Sequence, residues 1–281
     1  MKKLLTLSLV LSSFLLSDVR AQSSEMGLML GFSSYKGDIT ESMFDSRFFH
    51  PAVGIMYRRS FTNHWAGKIS LNLGRISGDD SRIDDDFKKI RNLHFRSSLL
   101  ELSGQLEFNF FPYQTANNKT YGTPFVFIGL SVFRFQPKAE LADEWYKLQP
   151  QSTEGQGTSA YPDRDPYNLT QVSVPFGGGV KFRLAKRVGM TIDGGARRTW
   201  TDYLDDISTT YVDKDVLLAE KGIISALLSD RSTTLTSDAN VNRQRGNASD
   251  NDWYFFGGVT VSFTLSKKYN DSCKPFRLKF K

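Results

Sequence analysis

Cysteine is nearly absent: Cys273 alone stands among 281 residues, so no internal disulfide framework can hold this chain together. Histidine is almost as scarce. His50, His64 and His94 are scattered, with no Cys or carboxylate at ligand spacing, which argues against a metal centre. Past the N-terminus there is no apolar run near the roughly 18 residues of a membrane-crossing helix. If the chain crosses a bilayer, it does so as a closed barrel of strands, the other structure that satisfies its own backbone groups in lipid. Charge of one sign is not in great excess either. Lys and Arg total 36 against 30 Asp and Glu, without the basic stripe or module that nucleic-acid binding needs. The triple glycine Gly177–Gly179 lacks the helix and Lys-Ser of a phosphate loop. Glycines within a strand suit tight curvature or close packing instead.

What is present begins at the N-terminus. "MKKLLTLSLVLSSFLLSDVRA" has a basic start (Lys2, Lys3), an apolar run from Leu4 to Leu16, and small or short residues before Gln22. That is the layout of a secretory signal peptide over residues 1–21. Cleavage after Ala21 removes three cations and one carboxylate, so the net charge falls from +6 to +4. No cysteine follows the site, which argues against a lipoprotein.

The mature chain alternates. In "DWYFFGGVTVSFTLSKK" (252–268), Trp253, Phe255, Val259, Val261 and Phe263 share one face, with Thr260, Ser262 and Thr264 on the other. Period two means a strand with one apolar and one largely polar side. Seven further stretches repeat it, most clearly "SSLLELSGQLEFNFF", where Leu100, Leu102, Leu106, Phe108 and Phe110 oppose Glu101, Ser103, Gln105, Glu107 and Asn109. Eight strands result.

The connections between them alternate as well. Long polar linkers span roughly 38–50, 78–93, 140–169 and 205–251, and the intervening connections are short. Short turns at one end and long loops at the other are the pattern of an outer-membrane barrel. The polar faces carry Lys68, Glu101, Glu107, Lys181, Arg183, Asp193 and Arg197. A soluble barrel would leave these in water; a membrane barrel turns them inward, where opposite charges pair. The expected fold is therefore all-β: an eight-stranded antiparallel up-and-down transmembrane barrel over residues 22–266, with long extracellular loops. Trp65, Tyr113, Trp200 and Trp253 fall near strand ends, where interfacial aromatic girdles sit. An eight-stranded interior is just wide enough for side chains to fill, which disfavours a general porin.

One loop helix is expected at "DKDVLLAEKGIISALLSD" (213–230), capped by Asp213 or Asp215. Val216, Glu220, Ile223 and Leu227 form one stripe, with Leu217, Ile224 and Leu228 beside it. "SGDDSRIDDDFKK" has five aspartates and reads as a solvated loop, able at most to hold a divalent cation loosely. His50 with Asp79 and Asp80 is the best seed for an enzymatic site, because a nucleophile needs a nearby base. A small barrel enzyme or ligand binder is thus the alternative to a structural barrel. No cofactor is expected. After the last strand, residues 267–281 form a basic, aromatic tail on the periplasmic side. Its Tyr269, Cys273, Phe276, Arg277 and Phe280 are the candidate partner contacts.

In "EMGLMLGFSSYKGDI", "FFHPAVGIMYRRSF", "LLELSGQLEFNFFPY", "TPFVFIGLSVFRFQPKA", "VSVPFGGGVKFRL" and the tail "CKPF", taken in order, the chain resembles the PorG family, an outer-membrane component of the type IX secretion system. The Tyr-Lys-Gly-Asp segment at 35–38 is its most specific piece. The resemblance implies a non-enzymatic adaptor barrel that links a periplasmic ring of PorK- and PorN-like subunits to the outer membrane.

Overall fold

The computed structural model describes residues 23–115, 120–232 and 240–265. The expected signal peptide and the tail with Tyr269, Cys273, Phe276, Arg277 and Phe280 lie outside the described residues. Eight long strands close a ring: β1 (Ser23–Lys36), β2 (His50–Ser60), β3 (Trp65–Asp79), β4 (His94–Asn109), β5 (Gly122–Leu141), β7 (Thr170–Ala185), β8 (Val188–Thr199) and β9 (Trp253–Thr264). Neighbours pair antiparallel in the order β4-β3-β2-β1-β9-β8-β7-β5, and a β4–β5 pairing completes the circle. A ninth strand, β6 (Glu144–Lys147), pairs only with the upper end of β5. The alternation in sequence did not reveal it, because four residues carry too little period.

Period two sets which way each residue points. In β4, Glu101 and Glu107 are fully buried, whereas Leu102 and Leu106 are 55% and 44% exposed. The same holds around the ring, with Leu28, Leu30, Ile69, Ile128, Leu130, Val259 and Phe263 outside. An uncovered aliphatic belt around a closed sheet is the lipid-facing surface of a transmembrane barrel. In a soluble barrel the same residues would fill the centre. Inside, the glycines leave room for rings: a Cβ at Gly195 would lie 2.5 Å, and one at Gly177 2.9 Å, from the Phe127 ring.

The long connections fold over one mouth of the barrel. They contain α1 (Asp86–Arg91), α2 (Lys214–Glu220) and α3 (Ile223–Ser229). The single helix expected over 213–230 is broken in two at Gly222, whose φ of +96° lies outside helical space and favours glycine. Asp213 caps α2 by accepting from the Asp215 amide. Leu217 and Leu228 turn inward and Ile223 and Leu227 outward, so the stripe expected as secondary is the buried one. The loops share a core with the upper barrel, including Ile39, Ile76, Phe95, Phe135, Leu204, Ile207 and Tyr254. At the opposite mouth the turns are short, except that the β4–β5 connection dips inward. Tyr113, expected at the membrane interface, is 4% exposed there. Its backbone amide bonds to Asn63, which draws it into the barrel base.

Candidate functional site: the charged barrel interior

Strand alternation brings the inward charges to one place. Glu107 on β4 lies 2.8 Å from Arg58 Nε, 2.6 Å from Lys181 Nζ and 3.5 Å from Lys68 Nζ. Lys68 also reaches Asp193 at 3.5 Å. Two rungs and more toward the loops, Arg197 Nε donates to Glu101 at 3.0 Å. Asn72 Nδ2 at 2.9 Å and the Tyr254 hydroxyl at 2.8 Å donate to the same carboxylate. Below, Glu25 pairs with Arg58 at 3.2 Å and accepts from the Thr115 hydroxyl at 2.6 Å and Ser262 at 3.0 Å. Four carboxylates (Glu25, Glu101, Glu107, Asp193) thus meet four cations (Arg58, Lys68, Lys181, Arg197).

Charges are tolerated out of water only when paired and hydrogen-bonded. Aromatic rings supply further partners: Lys181 Nζ lies 4.3 Å from the Phe125 ring centre, and Lys68 Nζ 5.0 Å from that of Phe127. The cavity beside Lys68, Asn72, Asp193 and Arg197 measures about 30 Å³, room for a few ordered waters. Such an interior can hold a proton or a few waters.

Of the residues singled out in sequence, Lys68, Glu101, Glu107, Lys181, Asp193 and Arg197 meet in this network. Arg183 also faces the lumen but lies near the lower rim, over the Tyr121 ring at 4.8 Å. Arg58, Glu25 and Thr115 were missed. Arg58 could have been found, since it shares the register of Met56, opposite Ile55 and Tyr57. Thr115 sits in a connection, where periodicity is silent.

The enzymatic seed is not assembled. His50 Nε2 lies 2.6 Å from Ser77 Oγ on the rim. Asp79 accepts from the Ser81 amide at 3.0 Å. Asp80, expected in solvent, is buried and clasps Arg91 through two contacts of 2.7 Å. Two of the other three loop aspartates have structural partners too: Asp85 caps α1, and Asp84 pairs with Lys89 at 2.7 Å. Among the described residues no group of three or more His, Cys, Asp or Glu is placed to hold a metal.

The cap carries a second polar cluster. Arg245, fully buried, reaches Glu154 at 2.9 Å. Glu154 also accepts from the Ser208 and Thr209 amides at 2.9 and 3.0 Å. Nearby, Asp205 takes the Tyr35 hydroxyl, and Asp252 accepts from the Leu204 amide at 2.8 Å. Burial, reinforced by the neighbouring carboxylates, pushes Asp205 and Asp252 well above the usual carboxylate range. For the same reason Asp202 is pushed up to about 8. Burial outweighs Arg245 at Asp206, which is raised to about 6.

The chain is similar in fold to three solved structures. The attachment invasion locus protein Ail of Yersinia pestis, in complex with sucrose octasulfate, has a TM-score of 0.41 at 9% identity, over 87% of this chain and 99% of that one. Neisserial surface protein A gives 0.41 at 8%, over 86% and 98%. The outer membrane protein OprG of Pseudomonas aeruginosa gives 0.37 at 9%, over 86% and 97%. No curated protein matches the chain in sequence. Residues 2–217 match the family model described as "Domain of unknown function (DUF6089)", and the chain belongs to that family.

Proposed function

We propose that this protein is a sealed outer-membrane barrel that serves as a non-enzymatic adaptor of the type IX secretion machine, fixing a periplasmic ring of PorK- and PorN-like subunits to the membrane. The observation that carries the adaptor part is the closed interior: a lumen filled by paired charges anchors but does not conduct. The specific machine rests on the ordered resemblance to the PorG family, above all Tyr35-Lys36-Gly37-Asp38. The partner contact is assigned to the tail, since Tyr269, Phe276 and Phe280 are not needed to close the ring, and Cys273 and Arg277 lie among them. Deleting residues 269–281 should leave the barrel inserted and heat-modifiable, while ring subunits cease to co-purify and secretion falls. If the truncated protein still retains those subunits and secretes normally, the tail assignment fails. If the whole barrel can be deleted with the ring still fixed to the membrane, the adaptor role fails with it.

A further inference from the structure

Above the aliphatic belt, the outward face of the barrel carries cations side by side. On neighbouring strands Leu73 pairs with Leu100, and Leu100 with Arg134, so Arg134 crowns the belt. One rung on, Arg75 pairs with Ser98. Above that, Arg96 lies directly opposite Lys138, and Lys138 directly opposite Lys147 on β6. Residues opposite each other in an antiparallel pair share a face, with Cβ atoms about 5 Å apart, and like charges so placed repel. Among the described residues no carboxylate comes within the 4.0 Å of an ion pair with any of these five cations. The carboxylates of this wall lie farther from the belt: Asp79 opposite His94 at the end of β3, and Glu140 and Glu144 along the β5–β6 hairpin, where Glu144 accepts from Tyr146.

Arg96 is held for binding by its surroundings. Its guanidinium carbon stacks 3.4 Å from the Trp145 ring centre. Stacking fixes the plane and leaves the N–H edge free, which suits a bidentate phosphate contact. The strand pair that presents Lys138 and Lys147 also supplies Trp145, so β6 builds one wall of the patch.

We propose that this outward face of β3–β6 binds the phosphate-bearing headgroup of a membrane lipid in the leaflet on the loop side. Position selects a lipid over a soluble phosphate: Leu73, Leu100 and Val132 lie immediately below on the same face and are 51%, 41% and 49% exposed, ready for acyl chains. Phosphate oxygens between Arg96, Lys138 and Lys147 relieve the repulsion of the row, with Arg134 and Arg75 at its flank. The inference rests on the membrane-spanning fold and is independent of the secretion role.

The test uses the purified full-length protein in neutral detergent, with bound lipid counted by native mass spectrometry. Bisphosphorylated lipid A should bind, and its dephosphorylated form should not. The R96Q/K138Q/K147Q variant should bind lipid A about a hundredfold more weakly, as expected from roughly 1 kcal/mol for each membrane-proximal cation. The substituted side chains are at the surface, so the variant should keep wild-type heat-modifiable mobility. R198Q, an outward cation on β8 away from the patch, should bind as wild type. The proposal is overturned if the triple variant retains lipid A, if R198Q loses it equally, or if dephosphorylated lipid binds as well. It is also overturned if inorganic phosphate alone displaces the lipid at matched concentration, which would make the patch a soluble-anion site.

Discussion

Glu107 is the residue on which most of the interior converges. It receives Arg58, Lys68 and Lys181 at 2.8, 3.5 and 2.6 Å. Replacing a buried pair by apolar groups is often neutral, but removing one partner strands the other. Glu107→Gln keeps the shape and deletes the charge, leaving three cations with Glu25 and Asp193 as the only acids in contact with them among the described residues. The expected loss is about 3–5 kcal/mol in urea unfolding of the detergent-embedded barrel. Adding Lys181→Met should restore part of it, because the two substitutions share one network and cannot be additive. If Glu107→Gln unfolds at the wild-type midpoint, the pairs do not hold the barrel shut.

At the scale of elements, the strands were legible and the cap was not. Alternation in β3, β4 and β9 fixes which face is apolar, and a signal peptide with one-sided long loops decides that this face turns to lipid. Thus Val261 is exposed while its neighbour Thr260 is 5% exposed and lines the lumen. Val261→Arg should reduce membrane-inserted, heat-modifiable protein sharply, by roughly 2–4 kcal/mol at midplane depth, whereas Thr260→Arg should lose far less. Equal losses would mean that the faces are exchanged. Within the loops the same charged residues gave no such signal. Asp80 and Asp84–Asp86 look alike in sequence, yet Asp80 is buried on Arg91 and Asp84 is exposed on Lys89. Which aspartate is buried depends on long-range packing of Arg91, whose guanidinium also donates to the backbone carbonyl of Arg245 at 2.8 Å. No local pattern encodes that contact. The cap chemistry has its own consequence. Asp202, Asp205, Asp206 and Asp252 are raised by burial, so the folded cap binds protons that the unfolded loop releases. Their contribution is fully present below the ordinary carboxylate range and is lost as pH rises through the folded values, about 6 for Asp206 and about 8 for Asp202. Protease cleavage within the β8–β9 loop should therefore be faster at about pH 9 than at about pH 5 after correction for the protease's own profile, and the double substitution D202N/D252N should flatten that difference. A wild-type loop that is more protected in alkali would reverse the sign and exclude this account.

For the whole molecule, the cap and the interior are two separate closures, and conductance tells them apart. The cap covers the loop-side mouth with a core built from Leu204, Ile207 and Leu228 over Phe95 and Phe135. Farther in, two groups of ion pairs cross the lumen: Glu25, Arg58, Glu107, Lys68, Lys181 and Asp193 form one, and Glu101 with Arg197 the other. A cap can lift, as loops do, without disturbing the hydrogen-bonded wall. The pairs cannot separate without leaving charges beside a cavity of about 30 Å³, where only a few waters can solvate them. The seal is therefore assigned to the barrel wall itself. In planar bilayers the purified protein should show no steady, large-conductance openings, and a variant with residues 205–251 replaced by a short turn should stay equally silent. Steady conductance from the wild type would remove the plug altogether. If the shortened variant conducts while the wild type does not, the cap is the gate and the paired charges line a path that it closes.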